Sequence, residues 1–207
     1  PGPFRSYIPK THENQAVETV KRVREAVGDN IDLLIEVHRR LSPMHAISLA
    51  GRIEEYDLYW FEEPLRIHDY EGHSKLKKKS TMNIATGENG YHLEHFKNLT
   101  ENDCASVFNV DVAICAGYDV ALEISELAMN NDISISPHGC QELQLPLVAG
   151  IKNGEFLEYY PKEVDPLRSE MFDPILKPDK DGYVTVSEQP GLGYDLNMDL
   201  LKNYQVL

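Results

Sequence analysis

The sequence predicts an α/β fold, a barrel built from repeated strand-plus-helix units. Short apolar runs recur along the chain, and each ends in an acidic residue or a histidine. These polar ends are about 20 to 27 residues apart, roughly the combined length of a strand, a helix and two short loops. Amphipathic helical patterns fill the gaps between the runs. The six polar ends are Glu36, Glu62, Glu88, Asp111, His138 and Glu158.

The predicted strands are apolar and often β-branched or aromatic, as parallel strands buried on both faces should be. They lie at residues 33–38, 58–64, 83–89, 106–111, 133–138 and 156–160. With a further strand near residue 4, they supply about seven of the eight strands of a closed barrel. We therefore expect residues 1–160 to form a barrel segment, and the missing part of the barrel to precede Pro1.

The helices between these strands are predicted from apolar spacing and from end signals. Residues 14–27 carry apolar side chains on one helical face, and Gly28 marks the end. Ser42 and Pro43 form an N-cap and first turn for the next helix. Residues 117–129 repeat the amphipathic pattern. Strand and helix thus alternate along the barrel segment.

After Tyr160 the character of the chain changes. Four prolines interrupt the next stretch, and Asp181-Gly182 predicts a hairpin turn before a short strand at residues 183–186. Residues 190–193 predict another turn. We expect residues 161–207 to form a C-terminal tail that packs on the barrel and on a second domain.

Composition excludes several classes of protein. The chain has 20 basic and 34 acidic residues, a formal net charge of −14, and no basic stripe, so no nucleic acid is expected as a partner. The short lysine run at residues 75–79 is predicted to be a solvated helix end. No apolar stretch approaches the length of a membrane span, and no signal peptide opens the chain; we expect a soluble, cytoplasmic protein with no membrane partner. Three cysteines, an odd number, favour packing residues in a reducing compartment over a disulfide framework.

Three glutamates, Glu36, Glu62 and Glu88, follow three successive predicted strands. The carboxyl ends of barrel strands share one face, so these carboxylates are expected to meet there. Hard oxygen ligands favour Mg²⁺, and Mn²⁺ would be tolerated. A single glutamate at a strand end would more often form an ion pair or cap a helix; the set of three favours a metal site.

Asp111 and His138 end neighbouring predicted strands, so their side chains are expected to lie side by side. A carboxylate bonded to one imidazole nitrogen fixes the tautomer and raises the basicity of the other nitrogen, which suits a general base. His38 follows Glu36 by two residues, and strand alternation predicts that both face inward. There His38 could protonate a departing hydroxyl. Arg39 is predicted to point away or into a loop and is assigned no role.

Taken in order, these motifs resemble those of the barrel of the mandelate racemase subgroup in the enolase superfamily, which includes the muconate lactonizing enzymes. The match runs from about residue 5 to 160 and comprises Glu62-Glu63-Pro64, His68-Asp69-Tyr70-Glu71-Gly72-His73, Gly87-Glu88-Asn89, Asp111, Ser136-Pro137-His138 and Glu158. The resemblance implies a (β/α)7β barrel, truncated at its N-terminus, whose first strand and capping domain precede residue 1. It also implies assembly into homo-oligomers through the outer helices.

The resemblance implies a chemistry as well. Members remove the proton α to a carboxylate and stabilise the resulting enediolate with Mg²⁺, here held by Glu36, Glu62 and Glu88. Asp111 and His138 match the family's dyad. Glu158 matches the acid that donates a hydrogen bond to the substrate carboxylate, for which it must carry a proton.

The segment Glu36-Val37-His38 is similar to the Asp-x-His of galactonate and mannonate dehydratases, where the histidine expels the β-hydroxyl. It favours an acid-sugar dehydratase that forms a 2-keto-3-deoxy acid, with a galactonate-like substrate preferred. Two departures stand out. Glu36 replaces the usual Asp, and Arg5-Ser6-Tyr7 replaces the common Lys-x-Lys. Tyr7 could be a second base or acid assisted by Arg5, or the pair could only position the substrate.

Two alternatives remain at this point. A racemase or epimerase would use Tyr7 and His138 on opposite faces of a 2-hydroxy acid. A catalytically inactive barrel would serve as a binding protein, and six polar residues at strand ends would then be buried without a ligand, which is costly.

Overall fold

The chain alternates strand and helix around one parallel sheet. A computed structural model describes residues 8–205, with the side chain of Ser169 excepted. The predictions for Arg5 and Tyr7 therefore lie outside the described residues. Five strands pair in chain order, all parallel. They are β1 (Leu33–Glu36), β2 (Leu58–Glu62), β3 (Asn83–Thr86), β4 (Val107–Phe108) and β5 (Ser134–Ile135).

Helices connect the strands and confirm the predicted α/β alternation. They are α1 (Lys10–Val27), α2 (Pro43–Ile53), α3 (Tyr70–Lys77), α4 (His92–Glu101), α5 (Tyr118–Met129) and α6 (Gln141–Gly150), with a 3-10 turn at Glu54–Tyr56. The predicted end signals act as expected: Ser42 accepts a hydrogen bond from the His45 N–H, and Gly28 ends α1 at φ 76°. The α/β fold class, a partial parallel barrel, is thus confirmed.

The last part of the sheet is shorter than predicted. Residues 133–138 contain only the two residues of β5, and residues 156–160 form no strand; a single bridge joins Ile135 to Gly154. The reason lies in the backbone donors of this segment. The Phe156 N–H donates to the Ser136 hydroxyl and the Tyr160 N–H to the Gln141 side chain, so side chains take the place of a neighbouring strand.

The apolar core lies between the sheet and the helices, in two main clusters. One is built on Phe96, Phe108 and Ile124, and the other on Phe61 and Ile84, all fully buried. Burying each such side chain contributes about 1.5–3 kcal/mol. These clusters fix the strands whose ends carry the polar residues.

The cysteines contribute to this packing. Cys104 and Cys115 are buried, Cys140 is half-buried, and all three are free thiols. Burial raises the pKa of Cys104 to about 12 and of Cys140 to about 11, so these thiols stay protonated and unreactive. Within residues 8–205 no helix is long and apolar enough to cross a membrane.

The tail contains α7 (Pro166–Glu170), β6 (Phe172–Asp173), β7 (Asp195–Leu196), α8 (Met198–Leu201) and a 3-10 turn at Lys202–Tyr204. Strands β6 and β7 pair antiparallel. The turn at Asp181-Gly182 is present, since the Gly182 N–H donates to the Asp179 carbonyl. The strand predicted at residues 183–186 is wrong: no strand pairs with these residues, and Tyr183 is 74% exposed.

Candidate active site

The polar residues predicted at the strand ends gather at one edge of the sheet. Glu36 and Glu62 are the last residues of β1 and β2 and are direct partners in the parallel register. Glu88 follows β3, Asp111 follows β4 and His138 follows β5. A cavity of 290 Å³ opens at this edge and is lined in part by Glu36, Glu62, His138 and Glu158. The carboxyl edge of a parallel barrel is where this architecture carries its chemistry.

The glutamates at this edge carry more negative charge than the protein compensates. Burial raises the pKa of Glu36 to about 7, helped by the charges of Glu88, Glu63 and Glu158. Burial likewise raises the pKa of Glu62 to about 8, helped by Glu36, Glu158 and Glu88. Carboxylates that repel one another in a cavity form a donor set suited to a cation, and all of these donors are the hard oxygens that Mg²⁺ prefers. The residues present therefore fit a divalent metal ion.

Glu36 and Glu88, two of the predicted ligands, lie close together. One ligand atom from each, together with one from His38, lies within 4.8 Å of the others. The Glu62 carboxylate accepts a hydrogen bond of 3.0 Å from the Trp60 indole. Glu62 is not a member of this three-residue group, although it lies at the same edge of the sheet. The structure thus brings two predicted ligands together, keeps the third at the same edge, and adds His38 to the set.

His138 and Asp111 form the predicted pair. The His138 Nδ1 lies 3.1 Å from Asp111 Oδ2, and the other oxygen of Asp111 accepts from the Gln144 amide at 2.9 Å and from the Ala113 N–H at 2.8 Å. Burial alone would lower the pKa of His138. The hydrogen bond with Asp111 and the charges of Glu88 and Glu158 outweigh it and raise that pKa to about 9. Nε2, the nitrogen available to a substrate, lies 3.6 Å from Glu88.

His38 reaches the site by a different route from the predicted one. Strand β1 ends at Glu36, and both His38 and Arg39 have a left-handed backbone, at φ 48° and 59°. Strand alternation therefore does not set the direction of His38, and that part of the prediction is wrong. The ring nevertheless contacts the Glu36 carboxylate through Nδ1 and is 51% exposed, so it remains open to a ligand.

The absence of a role for Arg39 is also a wrong prediction. Its guanidinium binds the carboxylate of Glu63 and donates to Glu88 Oε1 at 3.0 Å. The left-handed turn after β1 directs the side chain back over the strand ends, which a strand or loop pattern does not indicate. Arg39 is therefore part of the site.

Glu158 sits beside the Asp111–His138 pair. Its two carboxylate oxygens accept from the Gly139 N–H at 2.8 Å and from the Tyr160 hydroxyl at 2.6 Å. The Arg168 guanidinium stacks 4.1 Å above the Tyr160 ring, which ties the tail to this corner. Burial and the bond to Glu158 raise the pKa of Tyr160, so its hydroxyl remains a donor.

The sequence did not predict the residues that hold the side chains of this edge in place by hydrogen bonds. Glu63 and Gln144 are both fully buried, although glutamate and glutamine side chains are seldom fully buried. Asn89 donates to Glu88 Oε1 at 2.8 Å. The signal for Glu63 is the motif Glu62-Glu63-Pro64, in which a second carboxylate directly follows the one at the strand end. Gln144 gave no signal because it lies in an ordinary helical pattern.

A parallel α/β barrel edge that gathers carboxylates beside an Asp–His pair has the groups needed to bind a metal ion and to move a proton. The chain belongs to the enolase C-terminal domain-like family, whose sequence profile matches residues 4–200.

Several curated relatives of the chain are acid-sugar dehydratases. L-talarate/galactarate dehydratase of Salmonella typhimurium is 28% identical over 191 residues, which cover 91% of this chain and 46% of the relative. L-rhamnonate dehydratase of Saccharopolyspora erythraea is 30% identical over 192 residues, 89% of this chain and 49% of the relative. The chain spans about half the length of these relatives.

Solved structures of dehydratases also match the chain. A putative dehydratase from Salmonella enterica serovar Typhimurium superposes with a TM-score of 0.91 at 26% identity, over 99% of this chain and 52% of that chain. A variant of the L-talarate/galactarate dehydratase, liganded with Mg and L-glucarate, superposes with a TM-score of 0.84 at 27% identity, over 91% of this chain and 46% of that chain. Magnesium is thus bound in structures of relatives.

Proposed function

We propose that this chain is the barrel of a Mg²⁺-dependent acid-sugar dehydratase, a hydro-lyase whose substrate is a small aldonate or aldarate. The observation that carries the proposal is the Asp111–His138 pair, whose Nε2 lies 3.6 Å from Glu88, a member of the candidate metal-binding group with Glu36 and His38. The dehydratase names of the relatives support the reaction class. Among substrates we favour a galactonate-like acid.

Proton removal falls to His138. Asp111 accepts from Nδ1–H and so leaves Nε2 to face the substrate as the base. The C2–H bond breaks, its proton passes to Nε2, and its electron pair moves toward the adjacent substrate carboxylate. A positioned general base contributes about 10²–10⁴ in rate. Tyr7, with Arg5 beside it in sequence, is proposed as the partner on the opposite face.

Loss of water falls to His38. The ring contacts Glu36, belongs to the same group as Glu36 and Glu88, and is half exposed. It gives a proton to the β-hydroxyl, the C3–O bond breaks, and water leaves. The enol that remains takes up a proton at C3 and becomes the 2-keto-3-deoxy acid. Glu158, beside His138, would hold the substrate carboxylate by a hydrogen bond.

Glu36, Glu62 and Glu88 would hold the metal ion, with Mn²⁺ as a possible substitute for Mg²⁺. When bound, such an ion would supply positive charge opposite the substrate carboxylate and offset the glutamate charges that keep His138 protonated.

The experiment is a screen of aldonates and aldarates with the full-length protein, in which 2-keto acid formation is measured with Mg²⁺ and again after chelation. We expect one or a few diastereomers to react, and only with the metal. Absence of 2-keto acid from every member, with α-proton exchange in one of them, would favour a racemase or epimerase. Absence of both reactions would favour an inactive binding barrel.

A further inference from the structure

Arg39 forms a bridge between two carboxylates at the strand ends. A single guanidinium nitrogen binds Glu63 on one side and donates to Glu88 Oε1 at 3.0 Å on the other. Asn89 donates to that same oxygen at 2.8 Å. Glu88 Oε1 is thus held by two donors, while its Oε2 lies toward His138. The carboxylate has one oxygen fixed by the protein and the other turned to the site.

The far end of the bridge is rigid. Glu63 is fully buried, and its other oxygen accepts from the Thr86 hydroxyl at 2.8 Å. Thr86 is the last residue of β3, and Glu63 directly follows β2. Because Glu63 is buried and is held in place by Thr86, its charge requires the Arg39 guanidinium as a partner, and the position of the Arg39 side chain is therefore restricted.

We propose that Arg39 is a positioning residue for the metal site: anchored on Glu63, it fixes Glu88 in the orientation that Mg²⁺ requires and so favours Mg²⁺ over Ca²⁺. The inference rests on the proposed function, since it assumes that Glu88 is a metal ligand. Mg²⁺ demands near-octahedral geometry, whereas Ca²⁺ accepts irregular and variable coordination. Loosening one ligand should therefore harm Mg²⁺ binding more.

Charge and geometry make different predictions for this residue. Removing a guanidinium leaves the site more negative, which strengthens attraction for any divalent cation to a similar extent. Removing a support of a ligand weakens binding, typically by 10–100-fold, and most for the ion with the strictest geometry. The ratio of Mg²⁺ to Ca²⁺ affinity separates the two effects.

The backbone tolerates a glycine at this position. Arg39 has φ 59°, a conformation that glycine adopts at no steric cost, so Arg39→Gly adds no backbone strain, and its cost in stability comes from leaving the buried Glu63 without its guanidinium. Asp132→Gly is the matched control, because Asp132 is an exposed residue at φ 56° that precedes β5, at the opposite edge of the sheet.

The experiment is calorimetric titration of the full-length protein and both variants with MgCl₂ and with CaCl₂, accompanied by thermal unfolding. We expect Arg39→Gly to lower the Mg²⁺ to Ca²⁺ affinity ratio by about tenfold or more, and Asp132→Gly to leave it unchanged. An unchanged ratio in Arg39→Gly, with Mg²⁺ still bound by the parent protein, would overturn the inference alone. Failure of the parent protein to bind Mg²⁺ would overturn the proposed function together with it.

Discussion

The backbone of Gly139 passes so close to Asp111 that a Cβ at Gly139 would lie 2.7 Å from Asp111 Oδ2. That oxygen is the one that His138 contacts. Gly139 also has φ 99° and holds Glu158 through its N–H. One glycine thus sets the spacing between the proposed base, its carboxylate partner and the neighbouring acid.

We therefore expect Gly139→Ala to displace Asp111 and to lower kcat of the proposed dehydration by about a hundredfold, the cost of a misplacement near 1 Å. Gly117→Ala is the control, because Gly117 has a similar φ of 96° with open space around its missing Cβ. Both variants should lose stability, and only the first should lose activity. Equal kcat in the two variants would contradict this role.

Asp111→Asn tests the pair itself. The amide keeps the shape of the side chain but cannot fix the tautomer of His138 as a carboxylate does, so we expect kcat to fall by about 10²–10⁴. Steady-state kinetics at several pH values measure it. Asp103→Asn, which alters an exposed carboxylate paired with Lys77, should leave kcat unchanged. Near-parent activity in Asp111→Asn would remove the pair from the mechanism.

His38→Gln should separate the two halves of the reaction. Loss of the proposed acid blocks departure of the β-hydroxyl while proton removal by His138 remains possible. We expect 2-keto acid formation to fall by about 10²–10⁴ and exchange of the α-proton with solvent to persist. His92→Gln is the matched control, since His92 is an exposed histidine with φ 58°. Parallel loss of exchange and dehydration would argue against this assignment of His38.

Acid should destabilise the fold through a buried histidine. Burial, with smaller contributions from His68 and His73, lowers the pKa of His95 to about 4. Above pH 6.5 neither state binds the proton; below it the unfolded chain does and the folded chain does not, so stability falls as the pH drops from 6.5 to about 4. The loss is on the order of 3 kcal/mol at most.

Urea unfolding between pH 4 and 7 measures this loss. His95→Phe should flatten the dependence, and His12→Gln, which removes an exposed histidine, should not. A slope that persists in full in His95→Phe would assign the acid sensitivity to other groups. His73, which is fully buried and whose pKa burial also lowers, would be the next to test.

The sequence predicted those parts of the molecule that repeat. Apolar runs and polar ends placed Glu36, Glu62 and Glu88 at one edge, and the order of Asp111 and His138 predicted their contact. It failed where backbone conformation is local and irregular. His38 and Arg39 form a left-handed turn that contains no glycine, so the sequence does not predict the turn. For that reason it does not predict a role for Arg39 either.

Side-chain bonds to the backbone caused the other errors. The side chains of Ser136 and Gln141 accept hydrogen bonds from backbone N–H groups that a strand at residues 156–160 would have used for pairing. Such side-chain bonds leave no periodic pattern in the sequence. The support of Asp111 by Gln144 is equally invisible, because Gln144 comes from a helix 33 residues further along the chain.

The central claim is that this barrel edge removes a proton α to a carboxylate and then expels water. The most direct measurement follows the best acid sugar from the screen by NMR in D₂O, with Mg²⁺, using the full-length protein beside its Glu62→Gln variant. We predict a 2-keto-3-deoxy acid with deuterium at C3 from the parent protein and no product from the variant. Substrate that gains deuterium at C2 without losing water, or product formation undiminished in Glu62→Gln, would contradict it.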